Sequence, residues 1–181
     1  MFSGGLHVVP TLVITGPVGV GKTSTLYEVA SLLEAEGAPH AALDMDALRA
    51  AYPAPPDDRF NERLGLRNLA LVWREFAEAG AKWLLLADVV ERADQRDLYT
   101  AAIPGAVLFV VRLRAPLDEL LVRVRRRELG AGREWHMNRA AELAEQMDRD
   151  ALEDAVIQTA GRDVTSIANE VLQVWRAGLG S

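Results

Sequence analysis

Residues 16 to 23 of the chain read Gly16-Pro-Val-Gly19-Val-Gly21-Lys22-Thr23. An apolar run, residues 11–15, comes directly before them and predicts a buried β-strand, while residues 24–35 have the spacing of a helix. Glycine tolerates backbone conformations that other residues avoid, so this stretch can turn successive N–H groups into one concavity. The helix that follows adds the positive end of its dipole. The stretch therefore predicts a loop that binds phosphate groups.

A strand, a glycine-rich loop, Lys-Thr and a helix, in that order, form the P-loop or Walker A motif of nucleotide-binding proteins. In this motif the lysine, here Lys22, reaches the β- and γ-phosphates of ATP, and the threonine hydroxyl, here Thr23, binds Mg²⁺. The alternative is a chance glycine-rich turn. The chain has 18 arginines but two lysines, and one of the two stands where the motif needs a compact ammonium group. We expect the nucleotide to contact Gly16, Pro17, Val18, Gly19, Val20, Gly21, Lys22, Thr23 and Ser24.

The composition narrows the class of protein. A chain of 181 residues, half of them hydrophobic, is long enough for one buried core, so we expect a single domain over residues 1–181. A net charge of −6 argues against a general nucleic-acid binder, and the absence of cysteine excludes disulfides and a cysteine nucleophile. No apolar run approaches the length of a membrane span, and no signal peptide is recognisable. We expect a cytoplasmic monomer or homodimer without membrane or nucleic-acid partners.

Short apolar runs that read as strands alternate with helical patterns along the whole chain. The predicted strands are residues 11–15, 40–43, 82–87, 106–111 and 155–159. The predicted helices are residues 23–36, 47–51, 61–79, 91–102, 116–128, 134–147 and 164–177. This alternation predicts an α/β fold in which a five-stranded parallel sheet carries helices on both faces. Ligands bind beyond the carboxyl ends of the strands in such sheets.

An acidic motif, Asp44-Met-Asp46-Ala-Leu-Arg49, follows the second predicted strand. Two carboxylates at this place can hold Mg²⁺ and take a proton from an attacking hydroxyl, and the spacing leaves open which of Asp44 and Asp46 is the base. Arg49, one helical turn beyond Asp46, would face an anionic group of the acceptor. The alternative is that Asp46 only caps the next helix. Asp88 ends the third predicted strand, and we expect it to be a third metal-binding acid.

The P-loop, the D-x-D-x-x-R motif and a long helix that ends at Phe76-Ala-Glu-Ala-Gly80 together resemble the adenylylsulfate-kinase group of small-molecule kinases. Chloramphenicol phosphotransferases and gluconate-kinase-like proteins are similar. Arg67 matches an arginine of the N-I-R-R segment that opens the long helix of adenylylsulfate kinases, which implies that it binds substrate. The resemblance implies a P-loop NTPase fold and Mg²⁺-dependent transfer of the γ-phosphoryl group of ATP to a hydroxyl of a small molecule.

An arginine-rich segment, residues 123–140, resembles the lid of nucleoside- and shikimate-type kinases. Arg123 and Arg127 lie four residues apart and so on one helical face, where they could neutralise charge on a transferring phosphoryl group. In those kinases the first arginine often stacks on adenine. Arg162, before the last helix, stands where similar kinases hold the adenine edge, although residues 161–163 also read as a turn with a helix cap.

Two residues of the lid segment, Trp135 and His136, allow two interpretations. Trp135 could stack on a ring, and His136 could bind a substrate anion or act as a base. More often such residues are a packing tryptophan and a surface histidine. The residues that select the acceptor are expected in residues 52–61 and in the lid.

Three functions are compatible with these motifs. The first is an ATP-dependent kinase of a small hydroxyl compound, a transferase with an alcohol acceptor. The second is a regulatory nucleotide-binding ATPase, which would hydrolyse ATP without phosphorylating a metabolite. The third is a zeta-toxin-like kinase of a nucleotide sugar. The acidic pair with its arginine argues against the second, and the third stays open.

Overall fold

A computed structural model of the chain describes residues 8–127, 130 and 132–180. The described residues form one sheet of five parallel strands in the order β2-β3-β1-β4-β5. The strands are β1 (Val9–Thr15), β2 (His40–Asp44), β3 (Trp83–Ala87), β4 (Ala106–Arg114) and β5 (Ala155–Gln158). The α/β class and the five-stranded parallel sheet that the alternating pattern predicts are confirmed.

Seven described helices connect and cover these strands. They are α1 (Lys22–Ala35), α2 (Met45–Arg49), α3 (Glu62–Glu78), α4 (Gln95–Ala102), α5 (Leu117–Arg127), α6 (Gly132–Asp150) and α7 (Val164–Leu179). Within the described ranges, no helix combines the length and the apolar character that crossing a membrane requires.

Alternation along the strands divides the core into two layers. Successive side chains of a strand point to opposite faces, so Leu12 and Ile14 of β1 face one layer while Val13 faces the other. The first layer packs α1 and α7 on the sheet, with Trp175 fully buried in its centre. The second packs α3 and α4 through residues such as Leu69. Both faces of the sheet are thus covered, and the loops at the carboxyl ends of the strands remain for a site.

At two elements, β4 and α4, side-chain contacts explain why the observed boundary differs from the predicted one. β4 continues to Arg114, beyond the predicted end at residue 111, because buried Arg112 forms ion pairs with Asp148 and Glu153. A charged residue can therefore stay inside the strand. α4 begins at Gln95 instead of residue 91. The Gln95 side-chain oxygen accepts hydrogen bonds from the backbone N–H groups of residues 91 and 92, which holds residues 91–94 in a turn.

Candidate active site

The P-loop lies between β1 and α1 and needs glycine for two reasons. Gly16 and Gly19 have φ angles of 144° and 84°, a region that residues with a side chain rarely adopt. A Cβ on Gly19 would lie 2.8 Å from a methyl carbon of Val124 in α5, and a Cβ on Gly16 would lie 2.6 Å from the carbonyl oxygen of Leu113. The glycines thus let the loop curl while it touches β4 and the helix of the predicted lid.

Lys22, the first residue of α1, folds back over the loop. Its ammonium group donates hydrogen bonds to the carbonyl oxygens of Gly16 (2.9 Å) and Pro17 (3.2 Å). Burial lowers the pKa of Lys22, and the nearby carboxylates of Asp46, Asp88 and Asp44 offset part of this effect. In the described part of the chain no carboxylate lies within ion-pairing distance of this ammonium. A cation held on carbonyl groups beside a glycine-rich loop is suited to receive an anion.

The two acids after β2 have different surroundings. Asp44 accepts a hydrogen bond from the Thr23 hydroxyl (2.7 Å) and another from the backbone N–H of Asp46 (3.0 Å), which makes it the N-cap of α2. β3 lies between β1 and β2, yet Thr23 and Asp44 meet because parallel strands end at one edge of the sheet. The carboxylate of Asp46 lines the cleft beside Lys22 and accepts no hydrogen bond from the described residues. The cap is therefore Asp44, and the open acid is Asp46.

Arg49 and Asp88 form an ion pair at the floor of the site. One terminal nitrogen of Arg49 donates to both carboxylate oxygens of Asp88, at 2.7 and 2.6 Å. The Asp88 oxygens also accept hydrogen bonds from the backbone N–H of Val89 (2.7 Å) and from the Tyr99 hydroxyl. Burial raises the pKa of Asp88, while the Arg49 charge opposes that rise; burial also raises the pKa of Tyr99 well above 10.0. The predicted metal ligand Asp88 thus points away from the cleft, into contacts with protein groups.

A cleft of about 930 Å³ opens over the P-loop at the carboxyl ends of the strands. Its phosphate end consists of P-loop residues with Asp46, Arg49 and the two lid arginines Arg123 and Arg127. Its other end is formed by residues 57–62, the turn before α4, and α6. This volume is in the range of sites that enclose small ligands.

The two arginines predicted for the lid both line the cleft. Arg123 is paired with Glu119 at 3.0 Å, one helical turn earlier, and also donates to the carbonyl oxygen of Val20 in the P-loop (3.4 Å). Arg127, at the end of α5, is close enough to Lys22 to contribute to lowering its pKa. The helix therefore places two guanidinium groups beside the P-loop. Residues 128, 129 and 131 of the predicted lid lie outside the described residues.

The far end of the cleft contains Trp135 and His136 of the predicted lid, together with residues of the 52–61 loop that the sequence predicts to select the acceptor. The rings of Phe60 and Trp135 lie 6.5 Å apart between their centroids at an angle of 41°, and the Arg59 guanidinium carbon is 5.5 Å from the Phe60 ring centre. Both aromatic rings are about half exposed. Trp135 also contacts His136 edge to face, with 4.8 Å between ring centroids. A planar group of a ligand would meet apolar surface here.

Ion pairs connect the walls of this far end. Arg92 pairs with Glu62 at 3.0 Å, and Gln95 donates a hydrogen bond to Glu62 at 2.9 Å, which joins the start of α3 to the start of α4. Arg139 of α6 pairs with Glu91. Each of these contacts joins residues that are 30 or more positions apart in the chain, so no local motif could predict it. The one signal in the sequence is that residues 91–95 follow a predicted strand.

Some predicted site residues do not line the cleft. Arg67 is an exposed side chain on α3. Arg162 lies in the turn between β5 and α7, where it donates to the carbonyl oxygen of Gln158 at the end of β5 (3.0 Å) and to the hydroxyl of Ser166 in α7 (2.9 Å). Asp163 caps α7 by accepting from the Ser166 N–H at 2.8 Å, so residues 161–163 do form the turn with a helix cap. Of the P-loop residues, Gly16, Pro17 and Val20 do not line the open cleft.

The donor groups beside the P-loop fit magnesium when phosphates complete the set. No described group of three or more histidine, cysteine, aspartate or glutamate side chains could enclose a metal ion. Mg²⁺ is usually bound through one or two carboxylates and substrate phosphates, and it keeps several waters. The Thr23 hydroxyl and the Asp44 carboxylate are hard oxygen donors of this kind, 2.7 Å apart at the edge of the P-loop.

No protein-family model matches the chain, and no curated protein sequence matches it. Solved structures do. The APS kinase CysC of Mycobacterium tuberculosis, in complex with AMPPNP and APS, is 24% identical with a TM-score of 0.65, over 93% of this chain and 98% of that one. A gluconokinase of Sinorhizobium meliloti is 20% identical with a TM-score of 0.61, over 96% and 94%. A shikimate kinase of Acinetobacter baumannii, in complex with shikimate, is 20% identical with a TM-score of 0.59, over 96% of each chain.

The chain has the fold of the P-loop small-molecule kinases. The fold predicted from the P-loop and the D-x-D-x-x-R motif is thereby confirmed over nearly the whole chain. Because these identities are below 25%, the likeness establishes the architecture, and the function is argued from the site itself.

Proposed function

We propose that the protein is a kinase that transfers the γ-phosphoryl group of ATP to a hydroxyl group of a small molecule. The main observation is that one cleft contains both the P-loop lysine, Lys22, which forms no ion pair with a described residue, and Asp46, whose carboxylate accepts no hydrogen bond from the described residues. A site that only bound or hydrolysed a nucleotide would not need the second half of the cleft, with its aromatic rings and arginines. The solved structures of similar fold include kinases of three different small molecules.

On the phosphate side, the N–H groups of the P-loop and of the first turn of α1 bind phosphate oxygens. Lys22 leaves its carbonyl partners and contacts the β- and γ-phosphates. Arg123 and Arg127 approach from α5 and stabilise the negative charge of the transferring group. These groups already line the same cleft.

Thr23 and Asp44 would hold Mg²⁺ together with the phosphates of ATP. When bound there, Mg²⁺ would supply neutralisation of the phosphate charge. Asp44 is already bound to the Thr23 hydroxyl and to a backbone N–H, so it is poorly placed to take a proton from the acceptor.

On the acceptor side, Asp46 accepts the proton of the attacking hydroxyl. Its carboxylate lines the cleft next to Lys22 and accepts no hydrogen bond from the described residues, so a substrate hydroxyl can reach it. Arg49 lies one helical turn away and faces an anionic group of the same acceptor. The oxygen of the hydroxyl forms the new bond to phosphorus, the bond to the ADP oxygen breaks, and the proton passes to Asp46.

Incubation of the purified protein with γ-³²P-labelled ATP, Mg²⁺ and fractionated metabolite pools tests this proposal. A kinase yields a labelled organic phosphate from particular fractions. If every fraction gives only labelled inorganic phosphate, the protein is an ATPase and the proposal fails. The Asp46→Asn variant is the matched control. Loss of the Asp46 carboxylate should remove the labelled organic product, while Mg-ADP still binds.

A further inference from the structure

Arg49 is held at the floor of the cleft by contacts to both its backbone and its side chain. Its Nε donates to the carbonyl oxygen of Met45 (3.2 Å), and its Nη2 donates to both oxygens of Asp88. The side-chain amide of Asn61 donates to the carbonyl oxygens of Arg49 (3.0 Å) and Ala51 (2.9 Å). Gly65 of α3 allows this close approach, because a Cβ there would lie 3.3 Å from the Cβ of Arg49.

One nitrogen of Arg49 has no partner among the described residues. Nε and Nη2 make all the contacts described above, so the two N–H groups of Nη1 are left over. The Arg49 side chain is 17% exposed, against 3% for Asp88, and it lines the cleft. The remaining donors thus belong to a side chain that is mostly buried and that lines the cleft where an acceptor would bind. Charged N–H donors form strong hydrogen bonds with carboxylate, phosphate or sulfate oxygens.

Protein donors occupy all the hydrogen-bond acceptor positions of the Asp88 carboxylate. Its carboxylate receives two contacts from Arg49, one from the Val89 N–H and one from the Tyr99 hydroxyl. A carboxylate has about four lone-pair directions, and here each has a protein donor. A metal ion would have to displace at least one of these donors.

A purely structural role does not explain why an ion pair, Arg49 with Asp88, is buried at this place. Burying an ion pair costs desolvation energy that apolar residues of similar volume do not incur. The pair is also reinforced by a buried phenol on a third element, α4, which restricts the carboxylate further. These costs are understandable if the arrangement keeps one end of the guanidinium aimed at the cleft.

We propose that Asp88 and Tyr99 are positioning residues that hold Arg49 so that its Nη1 binds an anionic group of the acceptor. This inference rests on the proposed kinase function, since it assigns the floor of the same site. It gives Asp88 a role other than that of a magnesium ligand. It also predicts that the acceptor carries an anionic group near its reacting hydroxyl.

Arginine side-chain NMR tests the restraint without any need for turnover or for an acceptor. The guanidinium signals of Arg49 are assigned by their loss in Arg49→Lys. In the wild-type protein we expect slow rotation about the Cζ–Nη bonds, and in Tyr99→Phe a rotation faster by about tenfold, because one hydrogen bond to the charged carboxylate is lost. Tyr27→Phe, at an exposed tyrosine of α1, is the matched control and should leave the rate unchanged.

Sulfate serves as the anion probe, with the P-loop occupied by saturating Mg-ADP. We expect it to shift the Arg49 signals, and we expect about tenfold more sulfate to be needed in Tyr99→Phe. Unchanged rotation and unchanged sulfate response in a folded Tyr99→Phe would overturn the proposal. Failure of the kinase function would be visible separately, as the absence of any labelled organic phosphate.

Asp88→Asn distinguishes a positioning residue from a metal ligand. If Asp88 positions Arg49, the gain in ADP affinity that Mg²⁺ provides should be the same in the variant and in the wild type, while Asp44→Asn reduces that gain. A folded Asp88→Asn protein that loses the magnesium effect as Asp44→Asn does would show that Asp88 binds metal, which contradicts our assignment.

Discussion

The two ends of the cleft differ in how the chain builds them. The phosphate end comes mainly from one continuous stretch, residues 16–24, in which most of the groups expected to bind phosphate are backbone N–H groups. The far end combines residues 57–62, 91–95 and 135–139, which meet through side-chain pairs such as Arg92 with Glu62. A contiguous backbone site leaves a recognisable motif in the sequence. A site assembled from distant side chains leaves none, and its chemistry becomes visible only in the fold.

Removal of the Lys22 ammonium should have the largest effect at the phosphate end. We expect Lys22→Ala to lower kcat/KM for ATP by about 10³-fold or more, because a preorganised cation in a shielded site contributes strongly to binding the transferring group. Steady-state kinetics with the labelled acceptor fraction measure this. Lys82→Ala is the matched control, because Lys82 is the other lysine of the chain and is exposed at the start of β3. Equal activity of the two variants would refute the role of Lys22.

Replacement of Asp46 tests the point where the two ends meet. We expect Asp46→Asn to lower kcat by about 10²–10³-fold, because the amide cannot take the proton of the hydroxyl, while the Kd for Mg-ADP stays within about twofold. Calorimetry and single-turnover transfer give the two quantities. Asp44→Asn should behave in the opposite way and weaken Mg-ADP binding. If Asp44→Asn instead abolished transfer with unchanged Mg-ADP affinity, the base would be Asp44.

The contrast between the two ends also explains what the sequence could predict. The parallel sheet and the P-loop follow from local patterns: apolar runs, glycines at fixed spacing and a helix start. The pairing of Thr23 with Asp44 was predictable because both follow strands that end at one edge. The partners of Asp88 and Arg92 were not, since they depend on how α3 and α4 pack. The resemblance to adenylylsulfate kinases implies that Arg67 binds substrate, but a motif match fixes only the position along the helix and not what lies opposite it.

Two glycine substitutions separate the effect of backbone strain on stability from the effect of a steric clash. Gly80 and Gly19 both have positive φ angles, 107° and 84°, but a Cβ meets nothing within 4 Å at Gly80, whereas at Gly19 it lies 2.8 Å from Val124. We expect Gly80→Ala to lower the free energy of unfolding by about 1–2 kcal/mol through strain alone. Gly19→Ala should lower the free energy of unfolding by about 1–3 kcal/mol more than Gly80→Ala does, because the P-loop and α5 must separate.

Urea denaturation measures both glycine variants, and Mg-ADP calorimetry adds a functional readout. Only Gly19→Ala should also weaken nucleotide binding, since the shift falls on the loop that holds the phosphates. Equal losses of stability in the two variants would mean that the contact between Gly19 and α5 does not constrain the P-loop.

The smallest expected effect is a pH dependence that comes from Lys22. Burial holds its pKa below 10.5, so between that lowered pKa and 10.5 the folded protein binds fewer protons at this site than the unfolded chain does. The contribution of Lys22 to stability therefore rises with pH in that window. Bound phosphates raise its pKa again, so Mg-ADP binding takes up a proton, and the affinity falls as pH rises through the lowered pKa.

Calorimetry in two buffers of different ionisation enthalpy measures this proton uptake directly, at pH values below 10.5 at which the phosphates of ADP are fully ionised. Lys22→Met should abolish both the uptake and the fall in affinity, and Lys82→Met should change neither. This pH dependence distinguishes the two ends of the cleft, because the arginines at the far end keep their charge throughout this range while Lys22 loses its charge. A fall in affinity that persists in Lys22→Met would have to come from another group, and Lys22 would then not be the cation that meets the phosphates.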